Sequence, residues 1–185
     1  MEEGVATIGD SAFEMGFFGN SLTLPNSIRS IGAYAFHDTS FYKIHMPEGL
    51  KSIGPGAFYS CHWLNSVSIP GTVKHLSENA FADCSELLEV TFSEGIQSIG
   101  VEAFSGCRHL AEVTFAEGLQ RIEANAFAEC FELTEIKLPK SLICLDESAF
   151  RMCYEIEKVW LSKHLKEQAE ATFRDVYPEV EYIYY

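Results

Sequence analysis

The sequence predicts an α/β repeat fold: a solenoid of about eight units of about 23 residues, with a parallel β-sheet on one face and short helical turns on the other. Three observations predict it. An Ala-Phe pair ends at Phe13, Phe36, Phe58, Phe81, Phe104, Phe127 and Phe150, in steps of 23, 22, 23, 23, 23 and 23, and one more step lands on Phe173. Apolar residues hold fixed offsets from each Phe. A proline or small residue closes the apolar pair that has a period of two. A unit this short cannot bury its own apolar face, so identical units must stack.

Each element follows from that frame. Nine residues after Phe come Leu22, Val67, Val90, Val113, Ile136 and Val159, and eleven after come Leu24, Ile69, Phe92, Phe115, Leu138 and Leu161. A spacing of two is a strand with these residues inward. Pro25, Pro47, Pro70 and Pro139 follow and end the strand, because proline has no N–H for the ladder. A second extended piece carries Ile31, Ile53, Leu76, Ile99, Ile122 and Leu145. The segment Phe-x-x-Cys-x-x-Leu puts an apolar group at every third residue, which suits a turn or two of 3₁₀ or α-helix. Gly9, Gly32, Gly54 and Gly100 stand four before the Phe, with Ser77, Glu123 and Asp146 elsewhere; Gly, Ser and Asp read as N-caps of that turn, and Glu123 fits poorly. The second unit is one residue short, and Phe41 is expected to fill its Leu slot.

Residues 1–185 read as one domain with no linker. The first unit begins in mid-repeat, so a fragment, or a partner covering that end, is expected. Residues 165–185 read as a C-terminal capping unit, with a helix over 166–176 and a last strand Val180–Tyr185. That Tyr-rich strand is expected at a sheet edge, where an uncovered edge invites a second chain. A homodimer through it is a hypothesis to test.

The chain carries 27 acids against 13 Lys and Arg, a formal net charge of -14. Such a surface repels nucleic acid and anionic membranes, so neither is expected as a partner. No run of eighteen apolar residues occurs, which excludes membrane insertion by a helix. The opening MEEGVATIGD has no basic n-region and no apolar h-region, and does not read as a secretory signal.

No constellation for chemistry converges. Cys61, Cys84, Cys107, Cys130 and Cys153 fall three after the Phe, with Gly16 and Thr39 in the first two units. Parallel Cβ vectors in a ladder are too far apart for easy disulfides, and Cys-x-x-Cys is absent. The substitution by Thr and Gly suggests a limit on size. Cys144 lies outside this series and is the thiol expected to be exposed. His37, His45, His62, His75, His109 and His164 occupy scattered repeat positions. No cofactor and no metal site are expected, and the chain is read as not an enzyme.

The candidate binding face is the outward side of the sheet. Side chains alternate along a strand, so positions eight and ten after Phe point out. The first column runs Ser21, Lys43, Ser66, Glu89, Glu112, Glu135, Lys158, and the second Thr23, His45, Ser68, Thr91, Thr114, Lys137, Trp160. Glu89, Glu112 and Glu135 stacked together would repel, a strain that a basic partner or a cation would relieve. Thr91, Thr114, Lys137 and the aromatic Trp160 complete the candidate site. Glu48, Glu94 and Glu117 extend the acidic area.

The unit LNSVSIPGTVKHLSENAFADC, residues 64–84, resembles the BspA-like leucine-rich repeat, and its pattern recurs seven times. That resemblance implies a right-handed leucine-rich-repeat solenoid. It also implies bacterial or protozoan surface proteins that bind host matrix proteins or mediate adhesion. On that basis the chain is expected to be a non-catalytic protein-binding module at the cell surface or secreted. An intracellular protein–protein interaction domain is the alternative, and the opening residues leave a cytoplasmic location open.

Overall fold

The computed structural model describes residues 4–174 and 180–185. The chain winds as a parallel β-solenoid of about eight coils, each coil adding a rung to two ladders. The second ladder holds two-residue rungs: β1 (Thr7–Ile8), β3 (Ser30–Ile31), β5 (Ser52–Ile53), β7 (His75–Leu76), β9 (Ser98–Ile99), β11 (Arg121–Ile122) and β13 (Cys144–Leu145). The main sheet holds β2 (Ser21–Thr23), β4 (Lys43–His45), β6 (Ser66–Ile69), β8 (Glu89–Phe92), β10 (Glu112–Thr114), β12 (Glu135–Lys137), β14 (Lys158–Leu161) and β15 (Glu181–Tyr184). Equivalent residues pair in parallel: Val67 with Val90, and Val90 with Val113. Lys43 pairs with both Ser21 and Ser66, which places the one-residue deletion as expected. The main sheet is interrupted between β10 and β12, and the second ladder between β5 and β7.

The segment expected to be helical is instead a run of hydrogen-bonded turns. In the third coil the N–H groups of Ala57, Tyr59 and Cys61 donate three residues back, to Gly54, Gly56 and Phe58, at 3.1, 2.9 and 3.2 Å. The third residues of the first and last of these turns, Gly56 and Ser60, have φ of 58° and 57°, the left-handed value a type II turn demands there. Asn79 and Asp83, and Asn125 and Glu129, repeat this in later coils. Two left-handed residues per turn segment stop any helix from propagating. They also turn alternate amides toward the next coil: Tyr34, Phe36 and Asp38 donate to the carbonyls of Pro55, Ala57 and Tyr59 at 3.0, 2.7 and 2.9 Å. The turns therefore form a third backbone ladder. The glycines four before Phe cap no helix. The Gly54 N–H donates to Ile31 at 2.9 Å, and a Cβ there would come within 2.7 Å of the Ala33 nitrogen.

Stacking makes each core position a column. From Phe13 to Phe173 the ring centroids follow one another at 4.8–5.4 Å. Phe41 fills the shortened unit's slot, fully buried and edge-on to Phe36 and Phe58 at 6.2 and 6.4 Å. The cysteine column does more than fill space. Each thiol donates to the carbonyl of the Phe one coil earlier: Cys61 to Phe36, Cys84 to Phe58, Cys107 to Phe81, Cys130 to Phe104 and Cys153 to Phe127, at 3.0–3.4 Å. Thr39 makes the same bond to Phe13 at 3.0 Å. The slot selects a small donor, not small size alone. All six cysteines are free; five are buried and Cys144 is half-buried. Burial raises the pKa of Cys61, Cys84, Cys107 and Cys130.

After β14 the pattern changes. A 3₁₀ turn (Lys163–Leu165) runs into α1 (Lys166–Thr172), shorter than the expected helix 166–176; Phe173 and Arg174 form a turn, and 175–176 lie outside the described residues. This helical stretch takes the place of an eighth rung beside β13. His164 Nε2 meets the Leu142 carbonyl at 2.8 Å. Gln168 accepts from the Leu145 N–H at 2.7 Å and donates to Ile143 at 3.3 Å. Thr172 donates to Asp146 at 3.1 Å. Spacings of four put these three side chains on one helical face, where they satisfy edge groups a strand would have paired. The last strand β15 pairs with β14 from Lys158–Glu181 to Leu161–Tyr184 and ends the main sheet.

Candidate binding face

The alternation along each rung places the predicted columns outward. Glu89, Glu112, Thr114, Glu135 and Lys137 are exposed; Thr91 and Trp160 are half-buried. Glu89 and Thr91 ride on β8, Glu112 and Thr114 on β10, Glu135 and Lys137 on β12, and Trp160 on β14. Backbone ladders fix the spacing within β8–β10 and within β12–β14, on either side of the interruption.

The three glutamates do not form one unbroken stack. Glu89 and Glu112 are ladder partners. Glu135 sits across the interruption and pairs instead with Lys158. Its carboxylate also lies 3.9 Å from the Lys137 ammonium. Thr91 donates to Glu89 at 3.4 Å. Repulsion is thus concentrated on Glu89 and Glu112, while Glu135 has cations on two sides. Exposed pairs of this kind are worth at most about 1 kcal/mol either way.

Trp160 is not a free aromatic. Its ring lies under the Lys137 ammonium at 5.1 Å, and Ile183 flanks it on β15. Glu117 is also committed: its carboxylate accepts from the Lys140 and Ser141 amides at 3.0 and 3.1 Å and so fixes the next coil's turn.

Two clefts mark the sheet. One of about 440 Å³ opens at the interruption, between Glu112 and Thr114 on one side and Glu135 and Lys137 on the other, with half-buried Phe115 among its walls. Another of about 410 Å³ lies among Lys43, His45, Ser66, Ser68, Glu89 and Thr91. Lys43 and His45 were in the outward columns but outside the predicted site. The column order already sets Lys43 two rungs from Glu89, and β4 and β6 share one register pair at this cleft.

Among the described residues no cluster of three or more His, Cys, Asp or Glu is placed to hold a metal, and no helix is long and apolar enough to cross a membrane.

Rigid coils with varied side chains on an outward sheet define a repeat scaffold. The chain belongs to the BspA-type leucine-rich repeat family, whose model matches residues 6–130 and 87–184 in six copies. Repeats of this class generally serve as scaffolds for protein interaction. No curated protein matches the chain. Solved structures do. A leucine-rich cell surface protein of Faecalibacterium prausnitzii matches with a TM-score of 0.60 and 23% identity, over 98% of this chain and 58% of its own. The pneumococcal vaccine antigen PcpA matches with a TM-score of 0.58 and 23% identity, over 87% of this chain and 43% of its own. A leucine-rich repeat protein of T. pallidum matches with a TM-score of 0.58 and 27% identity, over 71% of this chain and 74% of its own. The chain therefore spans about half the length of the first two.

Proposed function

We propose that this chain is a non-catalytic protein-binding module of the cell surface or of a secreted protein, acting in adhesion through the outward columns of the main sheet. The observation that carries this reading is the exposed column pair of Glu89, Glu112, Thr114, Glu135 and Lys137 on ladder-held rungs. A backbone already held by ladders loses little main-chain entropy on binding, so such a face favours association. The acidic balance and the adjacent Glu89 and Glu112 carboxylates favour a basic protein ligand, such as a matrix protein. The surface location draws support from the F. prausnitzii protein, described as a leucine-rich cell surface protein. The second reading, an intracellular interaction domain, draws on the six free thiols, which suit a reducing compartment.

The test is capture of immobilised matrix proteins by the wild-type chain and by the triple variant Glu89→Gln, Glu112→Gln, Glu135→Gln. The triple variant should bind at least about tenfold more weakly, with a flatter salt dependence. Undiminished capture sinks the sheet-face reading. Protease shaving of intact cells separates the two locations: a surface module is cleaved, an intracellular one is protected.

A further inference from the structure

Beside the sheet runs a rim that the proposed site does not use. Five residues after Phe stand Trp63, Glu86, His109 and Glu132 in successive coils, all exposed. Its last three members are neighbours in space: His109 Nδ1 lies 2.6 Å from Glu132 one coil on, and the Glu86 charge one coil back acts on the same ring. Just before the strands stand Tyr42 and, two coils later, Leu88, linked through Asn65: its N–H donates to Tyr42 at 2.9 Å and the Leu88 N–H donates to it at 2.8 Å. Tyr42, Trp63 and Leu88 remain 49, 52 and 42% exposed. The Tyr42 and Trp63 rings touch at 5.7 Å with planes crossed at 61°.

Large side chains left in water keep apolar area that a partner could bury, and Trp and Tyr are the residues that anchor interfaces. Crossed rings make a wedge that receives a side chain rather than a flat platform for a sugar face. One rung beyond Trp63, at about 4.8 Å, the same column carries the carboxylate of Glu86, and beyond His109 that of Glu132, which bonds the His109 ring at 2.6 Å. We propose that this rim docks a polypeptide segment that carries an aromatic or aliphatic anchor, seated at Tyr42, Trp63 and Leu88. Lysines or arginines further along the segment lie against Glu86 and Glu132. This rests on the reading of the chain as a protein-binding scaffold and adds a second surface to it.

The probe is a fluorescein-labelled synthetic peptide with a Trp-Leu anchor followed by a run of lysines, titrated with the full chain by anisotropy. Two control peptides replace the lysines with glutamates or the anchor with serines. Saturable binding of the parent alone is expected. Trp63→Ser should weaken it about tenfold; Glu86→Gln with Glu132→Gln should weaken it about fivefold and flatten its salt dependence. These are exposed positions, and a thermal melt confirms that the variants fold. No binding of the parent peptide, or equal binding by Trp63→Ser, overturns the proposal, as does a glycan array that responds to Trp63 when the peptide does not. Matrix-protein capture lost in the Glu89, Glu112, Glu135 variant, with rim variants binding peptide like wild type, overturns the rim and leaves the sheet reading standing. The reverse pattern supports the rim and sinks the sheet reading.

Discussion

Thr39 and the five column cysteines share one hydrogen bond, to a Phe carbonyl of the preceding coil. That carbonyl is buried and has two donors: Phe81, for one, accepts the Cys84 N–H at 3.4 Å as well as the Cys107 thiol at 3.2 Å, so the side chain in the slot supplies its second hydrogen bond. Cys107→Thr should therefore cost less stability than Cys107→Val, a nearly isosteric side chain with no donor. The valine variant should lose about 0.5–1.5 kcal/mol more than the threonine variant in urea unfolding; equal losses would show that only size counts. A second residue-scale expectation concerns His109. Its hydrogen bond to Glu132 raises its pKa, with the Glu132 and Glu86 charges adding to the effect. A raised folded value means that its contribution to stability is fully present below the unfolded pKa of about 6.5 and fades as pH rises through the folded value. Both groups are about half exposed, so the effect on stability is small and NMR titration is the sensitive reading. Glu132→Gln should move the His109 midpoint down; an unmoved midpoint refutes the pairing.

At the scale of elements, the helical stretch closes the second ladder with side chains. Gln168 acts as a stand-in peptide group, accepting the Leu145 N–H and donating to the Ile143 carbonyl. Gln168→Leu keeps the bulk and the helix propensity but leaves a part-buried N–H without its acceptor. A loss of about 1–2 kcal/mol is expected, seen as faster hydrogen exchange at Leu145 before exchange elsewhere. Protection unchanged at Leu145 would show that the helix covers β13 by packing alone. We propose on this basis that residues 165–185 act as the cap of the array. The repeat turns show the opposite case. Phe-x-x-Cys-x-x-Leu has the spacing of a helix, yet the coil forms turns, because inter-coil amide bonds and left-handed residues such as Asn79 and Asp83 outweigh a local preference.

At the scale of the whole molecule, stability is a sum of coils and the contacts between neighbours, so the ends decide how the array meets other chains. Among the described residues strand β15 pairs with β14 alone. We propose that its outer edge is a template for the same strand of a second copy. Light scattering should show a mass that rises with concentration, and Tyr184→Pro, which removes an N–H at that edge, should hold the chain monomeric. A strict monomer at high concentration rules the contact out.

By itself the sequence determined the coil period, the inward columns and the outward columns, because a 23-residue repeat copies every burial decision from unit to unit. Phe41 in the slot of the shortened coil and the place of Cys144 outside the buried series were legible for the same reason. The tertiary structure alone decided what depends on two coils at once. It turned the expected helical turns into a third ladder, made the cysteines donors, parted β12 from β10 and so split the glutamate column, and laid Lys137 over Trp160. It also brought Tyr42 against Trp63, from different offsets in adjacent coils. Offsets within a unit specify which way a side chain points; only the distance between stacked units specifies what it touches.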